Sequence, residues 1–92
     1  IGLIVNELVT NAAKHGATKV AITLRWDDGD GVLTVANDGD SLPAGFDLHK
    51  SKGLGLKVVL SLAQKFHVDV TCVNQTDGPG VAFVMRARAA SL

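Results

Sequence analysis

The sequence predicts an α+β fold, a two-layer α/β sandwich with a mostly antiparallel sheet and both helices on one face. Apolar residues recur at helical spacing in two segments, and they alternate with polar residues in four others. The order along the chain is helix, strand, strand, loop, helix, strand, strand. Strands joined by short turns pair antiparallel, so the sheet should be mostly antiparallel. We expect both helices to cover one face of this sheet.

The composition limits the architecture and the partners. Ninety-two residues, 47 % of them hydrophobic, suffice for one domain over residues 1–92 and exclude intrinsic disorder. Nine basic residues balance nine acidic ones, which argues against nucleic acid or an anionic membrane as the main partner. One cysteine, Cys72, excludes a disulfide framework. We expect a soluble, intracellular domain and, since the chain does not begin with Met, a fragment of a longer protein.

The first half of the chain predicts a helix and a hairpin. Residues 1–15 have helical periodicity, and Gly16 follows as a cap. Residues 18–26 alternate as a half-buried strand, and residues 32–37 form its return partner. The Asp- and Gly-rich segment 27–31 lies between them and is typical of a hairpin turn.

The second half begins with residues 38–52, which have no period and contain two Gly and one Pro, so we expect a long, functional loop. Residues 53–66 predict the second helix. Residues 68–74 and 81–88 predict two more strands, joined by a turn at 77–80.

A polar stripe runs along the first predicted helix. Glu7, the only glutamate, is followed four residues later by Asn11 and seven later by Lys14, so all three lie within about 60° of arc. One interpretation is a solvated helix face. The other is a phosphate and metal site, in which Asn gives Mg²⁺ a neutral oxygen, Lys neutralises phosphate charge, and Glu orients or deprotonates a nucleophile.

Two glycines, Gly53 and Gly55, open the second helix, where the backbone can approach an anion at the helix N-terminus. A flexible joint would use the same pair. The segment is not a Rossmann fingerprint, because Val58 occupies the third glycine position and a loop precedes it. It is not a P-loop either, because no Gly-Lys-Ser/Thr follows.

Residues 37–39, Asn-Asp-Gly, end the second strand where the long loop begins. Asn and Asp at this place are typical turn formers, but polar groups that bind ligands favour it too. Phe46 within the loop either covers a ligand or pins the loop.

Together and in this order, these segments resemble the ATP-binding domain of sensor histidine kinases, which belong to the Bergerat-fold (GHKL) ATPases. Residues 6–15, NELVTNAAKH, look like the asparagine box, and residues 37–43, NDGDSLP, like the first glycine box. Residues 53–56, GLGL, look like the second glycine box, and residues 77–83 like the final Gly-x-Gly-Thr-x-Phe segment. Glu7 and the short loop are most similar to the HWE and related short-lid subfamilies.

The resemblance implies ATP and Mg²⁺ as ligands and assigns roles to individual residues. Asn11 would coordinate Mg²⁺, Lys14 would reach a phosphate, and Glu7 matches the superfamily's general base. Asn37 takes the position of the adenine-reading Asp, and Gly39 would permit close approach to the base. The implied nucleotide-binding set is Asn11, Lys14, His15, Asn37, Gly39, Leu42, Gly53, Leu54, Gly55, Leu56 and Val81.

Two departures from the family pattern concern the base. Asn37 stands where the family has Asp, and Val81 stands where it has Thr. The neutral amide can accept a bond from adenine, but its own NH₂ then needs an acceptor, and Val81 cannot hold a water. A lost hydrogen bond in a buried site costs about 1–3 kcal/mol. We therefore expect weakened adenine selectivity with the phosphate and metal residues intact.

The resemblance implies a Mg-ATP-binding catalytic domain of a two-component sensor histidine kinase. It would donate the γ-phosphate to a histidine on a separate phosphoacceptor domain, from which a response regulator would receive it. We expect that domain and one upstream strand of the sheet to lie outside this sequence. We expect no nucleic acid, no direct membrane contact and a bacterial cytoplasmic location. A degenerate regulatory module that binds nucleotide weakly, and an ATPase that uses Glu7 as base, remain alternatives.

Overall fold

The structure, a computed structural model, describes residues 2–50 and 54–88. The elements in chain order are α1 Gly2–Lys14, β1 Val20–Asp27, β2 Asp30–Asn37, a 3₁₀ turn Leu48–Lys50, α2 Leu54–Lys65, β3 Val68–Asn74 and β4 Val81–Ala87. Each predicted element is present, with its ends shifted by no more than two residues. Among the described residues, no helix has the length and apolar character that crossing a membrane requires.

The four strands form one antiparallel sheet in the order β1-β2-β4-β3. This confirms the predicted α+β class. β4 lies between β2 and β3, and Val81 at its start is paired with Asn37 on one side and Asn74 on the other. The end of β2, the end of β3 and the start of β4 therefore meet at one edge, where the long loop leaves the sheet.

Both helices pack on the same face of the sheet, as predicted. Ile4 and Leu8 from α1 meet Leu56 and Val59 from α2 over the strands. The strand side chains beneath them belong to β2 and β4 and are Leu33, Val35, Val81, Phe83 and Met85. Burying a side chain of this size stabilises the fold by about 1.5–3 kcal/mol, so this layer holds the site's framework in place.

The expectation of a half-buried β1 is wrong. Its apolar row points to the same face as Leu33 and Val35, yet Ile22, Leu24 and Trp26 are 50 %, 64 % and 67 % exposed. The reason is that β1 is an edge strand that the helices do not reach, because they pack over the other three strands. The alternating pattern correctly identified which face of β1 points inward, but it could not show whether a helix covers that face.

The β1–β2 hairpin turns tightly at Asp28 and Gly29, whose φ angles of 53° and 85° fit the predicted Asp-Gly turn. Arg86 braces the hairpin from β4. Its guanidinium donates to the carboxylates of Asp27 at 2.9 Å and Asp30 at 2.8 Å. These contacts raise the pKa of Arg86 above its ordinary value and hold the hairpin base against the sheet.

Candidate functional site

A pocket of about 310 Å³ lies between the C-terminal half of α1, the loop after β2, α2 and the start of β4. Its lining combines polar residues from α1 and the loop with apolar residues from the sheet and α2. The lining residues are Asn11, Ala12, His15, Asn37, Asp40, Ser41, Leu42, Pro43, Phe46, Leu56, Val81 and Phe83.

The pocket unites many of the residues that the sequence motifs selected: Asn11, His15, Asn37, Leu42, Leu56 and Val81. Glu7 and Lys14 do not line it, and neither does Gly39. Gly53 lies outside the described residues, and Leu54 and Gly55 are described only as helical backbone. The pocket therefore joins the asparagine-box helix to the first glycine box.

The α1 side of the pocket is formed by one helical surface. Asn11 is half-buried and His15 follows one turn later, while Ala12 is buried between the helix and the sheet. Within residues 2–50 and 54–88, the Asn11 side chain makes no hydrogen bond. Glu7 is half-buried one turn earlier, and Lys14 is exposed at the helix end. Asn11 thus presents a free amide to the pocket.

Asn37 forms the opposite, inner wall of the pocket. Among the described residues it is the one polar residue that is buried, with 8 % of its surface exposed. Its Oδ1 accepts a hydrogen bond from the Gly39 N–H at 2.9 Å. Its neighbours across the sheet are Val20 on β1 and Val81 on β4, which offer no polar side-chain atom. Asn37 therefore lies in an apolar setting, with its oxygen already engaged.

Gly39 is required by the close packing of the chain on itself. A Cβ at this position would lie 2.7 Å from the His15 carbonyl oxygen and 3.0 Å from the Ala17 nitrogen. The neighbouring Asp40 N–H donates to the same His15 oxygen at 2.9 Å. The start of the loop is thereby fixed against the end of α1. Close approach of Gly39 to a nucleotide base stays a prediction.

Asp38 points to the other side of the strand from Asn37 and closes the α1–β1 connection. Its carboxylate accepts bonds from the Thr18 N–H at 2.7 Å, the Thr18 hydroxyl at 2.6 Å and the Lys19 N–H at 2.9 Å. These bonds, with the Thr18 hydroxyl first, lower the pKa of Asp38 to about 2. The sequence motif did not identify this role, because it depends on residues about twenty positions away.

Two side chains hold the beginning of the loop at the sheet edge. Asn74 at the end of β3 binds the Leu42 backbone twice, accepting from its N–H at 2.7 Å and donating to its carbonyl at 3.2 Å. Ser41 Oγ accepts from the Gly80 N–H at 3.3 Å. Phe46 farther along is half-buried, packs on the core and lines the pocket, so it anchors the loop, and the covering of a ligand by its ring stays a prediction.

Sequence reasoning missed several lining residues: Ala12, Asp40, Pro43 and Phe83. Alternation along β4 could have identified Phe83, because it points to the same face as Val81. The loop residues had no such signal, since their position depends on Ser41 and Asn74 binding distant backbone.

The pocket suits a ligand with a flat apolar part and a charged part. The apolar walls accept the first, and a buried amide among apolar residues provides orientation. The Asn11 amide oxygen is a hard ligand of the kind Mg²⁺ accepts beside phosphate oxygens and water, so the donor chemistry fits a Mg²⁺-bound phosphate there. α2 begins at Leu54 near the pocket, with its N-terminal dipole available to an anion.

Comparison with protein families matches residues 1–91 to the histidine kinase-, DNA gyrase B- and HSP90-like ATPases. Sensor histidine kinase PdtaS of Mycobacterium tuberculosis is 38 % identical over 70 residues, which cover 65 % of this chain and 13 % of that protein. PdtaS of Mycolicibacterium smegmatis is 36 % identical over the same shares. The chain thus matches a small part of the length of these relatives.

Solved structures share the fold. The histidine kinase domain of the blue-light activated histidine kinase from Erythrobacter litoralis superposes with a TM-score of 0.79 at 24 % identity, covering 97 % of this chain and 43 % of that one. Histidine kinase AdeS of Acinetobacter baumannii superposes with a TM-score of 0.79 at 24 % identity, covering 95 % and 44 %. The α+β architecture is that of histidine kinase ATPase domains.

Proposed function

Because the chain belongs to the family of histidine kinase-, DNA gyrase B- and HSP90-like ATPases, we propose that it is the Mg-ATP-binding catalytic domain of a two-component sensor histidine kinase. The observation that carries the proposal is the pocket itself. It places a free Asn11 amide and His15 on one side and the buried Asn37 amide on the other, between apolar walls. The similarity to PdtaS favours a kinase over other members of the family.

The position of each residue suggests its role in the proposed reaction. Asn11 would hold Mg²⁺, which neutralises phosphate charge when bound, and Lys14 at the open end of α1 would reach a phosphate. Asn37 and the apolar walls would hold the base. Glu7, one turn before Asn11, would orient the incoming nucleophile. Phosphoryl transfer needs positioning and charge neutralisation more than covalent chemistry, which suits this arrangement.

The acceptor would be a histidine on another domain of the same protein, with a response regulator as the next acceptor. We place the domain in the bacterial cytoplasm, where ATP is supplied.

A regulatory module that binds nucleotide poorly is the second candidate, favoured by Asn37 and Val81 at the base end of the pocket. An ATPase that uses Glu7 as base is the third, and it would lose hydrolysis in Glu7→Ala with no acceptor protein present.

Thermal unfolding with and without Mg-ADP tests the proposal. A ligand at 100 times its dissociation constant adds about 2.7 kcal/mol to the free energy of unfolding. For a domain of this size, that raises the midpoint by about 10 °C or more. AMP without Mg²⁺ is the control, because it lacks the β-phosphate and the metal that Lys14 and Asn11 would engage. A folded sample with no shift at millimolar Mg-ADP would favour the regulatory module.

A further inference from the structure

Asn74, the last residue of β3, binds the start of the loop with both polar atoms of its side-chain amide. Oδ1 accepts from the Leu42 N–H at 2.7 Å, and Nδ2 donates to the Leu42 carbonyl at 3.2 Å. One amide thus satisfies the donor and the acceptor of one backbone residue, as the backbone of a neighbouring strand would. The direction of the amide is fixed, because half a turn would set donor against donor and acceptor against acceptor.

Leu42 carries this contact into the pocket. Its backbone is held by Asn74, while its side chain is half-buried, packs on the core and lines the pocket together with Asn37 and Val81. Val81 is paired with Asn37 on one side and with Asn74 on the other, so the residue that holds Leu42 lies across one strand from the buried amide. Asn74 itself does not line the pocket, so its effect on a ligand passes through Leu42.

A second bond at the same edge of the sheet is weaker. Ser41, the residue before Leu42, accepts from the Gly80 N–H at 3.3 Å, which is longer than most hydrogen bonds of this kind. The Asn74 amide makes two bonds, and the shorter of them is 2.7 Å long. Asn74 is therefore the main attachment of this part of the loop to the sheet.

We propose that Asn74 is a positioning residue for the base of the nucleotide, because it fixes the wall of the pocket that Leu42 forms. The inference rests on the proposed function, since it needs the base to lie between Leu42 and the end of the sheet. Without the amide, the Leu42 backbone groups bond to water, and the side chain becomes ordered only when a ligand binds. Ordering a side chain at that moment costs affinity.

The metal and phosphate end of the pocket is attached independently. There the loop is held to the end of α1 by the Asp40 N–H, which donates to the His15 carbonyl at 2.9 Å, and Asn74 takes no part in this bond. Asn11 lies on α1, four residues before His15. The loss of the Asn74 amide should therefore weaken the contribution of the base and leave the contribution of Mg²⁺ unchanged.

Calorimetric titration of the whole chain with ADP, once with Mg²⁺ and once with EDTA, tests this separation. Asn74→Ala should raise the dissociation constant of Mg-ADP by about three- to tenfold, the equivalent of ordering one side chain. The ratio between the two titrations should equal that of the wild type. Gln75→Ala is the matched control, because it removes the exposed amide one position later, keeps the backbone bond to Gly80 and should bind normally. Since Asn74 is exposed, we expect both variants to fold.

A pH profile of Asn74→Asp separates positioning from general destabilisation. This variant keeps an oxygen for the Leu42 N–H but turns a second carboxylate oxygen toward the Leu42 carbonyl, which raises the pKa of the new carboxyl group. Protonation supplies an O–H that donates to this carbonyl, as the amide does. Relative to the wild type at each pH, the affinity for Mg-ADP should therefore recover as the pH falls from about 7 to about 5. A relative affinity that stays constant or falls would contradict the pairing with Leu42.

The remaining results separate the inference from the proposed function. If the wild type does not bind Mg-ADP, the nucleotide site is wrong and this inference falls with it. If the wild type binds and Asn74→Ala binds equally well, the inference alone is wrong. If Asn74→Ala loses the difference between Mg²⁺ and EDTA, Asn74 acts on the whole pocket and not on its base end, which also overturns the inference. Should Asn74→Ala fail to fold, the pH profile of Asn74→Asp decides.

Discussion

Asn11 and Asn37 carry the same amide in the same pocket but in opposite situations. Asn11 projects from a helix, is half-buried, and makes no side-chain hydrogen bond within the described residues. Asn37 ends a central strand, is buried, and has its oxygen held by Gly39. A free amide can turn either atom to a metal or phosphate, whereas a held amide offers one fixed donor. The environment, and not the residue type, therefore decides what each asparagine can recognise.

The largest effect should come from the free amide. We expect Asn11→Ala to weaken Mg-ADP binding by about tenfold or more and to abolish the difference between titrations with Mg²⁺ and with EDTA, because hydrogen bonds and ligation to charged groups are the strong ones. Thr10→Ala, at the exposed neighbouring position of α1, is the control and should bind normally. Mg²⁺-dependent binding that survives in Asn11→Ala would remove the metal assignment.

The held amide can be disturbed through its partner. Gly39→Ala places a methyl group 2.7 Å from the His15 backbone oxygen. His15 directly follows α1, so its backbone cannot move freely. We expect a loss of about 2 kcal/mol in the free energy of unfolding, as for overpacking in a core, measured by urea denaturation. Gly2→Ala is the matched control, because its added methyl meets nothing within 4 Å. Equal stability of the two variants would show that the loop is not fixed as described.

The smallest effect concerns Asp38, which anchors the strand end beside Asn37. Its pKa is lowered from 3.8 to about 2 in the folded chain, so its contribution is complete above the unfolded value and is lost as the pH falls through the folded one. The stability difference between wild type and Asp38→Asn should therefore shrink between about pH 5 and about pH 2. Urea denaturation at each pH measures it, and a difference that grew on acidification would contradict the Thr18 and Lys19 contacts.

Local patterns predicted the elements because they depend on local causes. The Asp28-Gly29 turn follows from the positive φ that these residues tolerate, and the helices follow from periodicity. The motif residues Asn11 and Asn37 do meet in one pocket. The sequence could not show that Asn74 and Ser41 hold the loop, since those bonds join residues more than thirty positions apart.

Two further features depend on arrangement in space and were out of reach of the sequence. The position of β4 between β2 and β3 places Val81 beside Asn37, although alternation along β4 is compatible with other strand orders. The direction of the Asn37 amide depends on one backbone N–H two residues later, and an Asn-Asp-Gly sequence is compatible with several turns.

Trp26 at the exposed end of β1 gives the protein a built-in optical reporter. The chain has one Trp and no Tyr, so its near-ultraviolet emission arises almost entirely from this 67 % exposed indole. Trp26 pairs with Gly31, six strand positions from Asn37, or about 20 Å along the sheet. Its emission should resemble that of a free indole in water and stay constant during nucleotide titration. A blue shift would report that something has covered the outer strand.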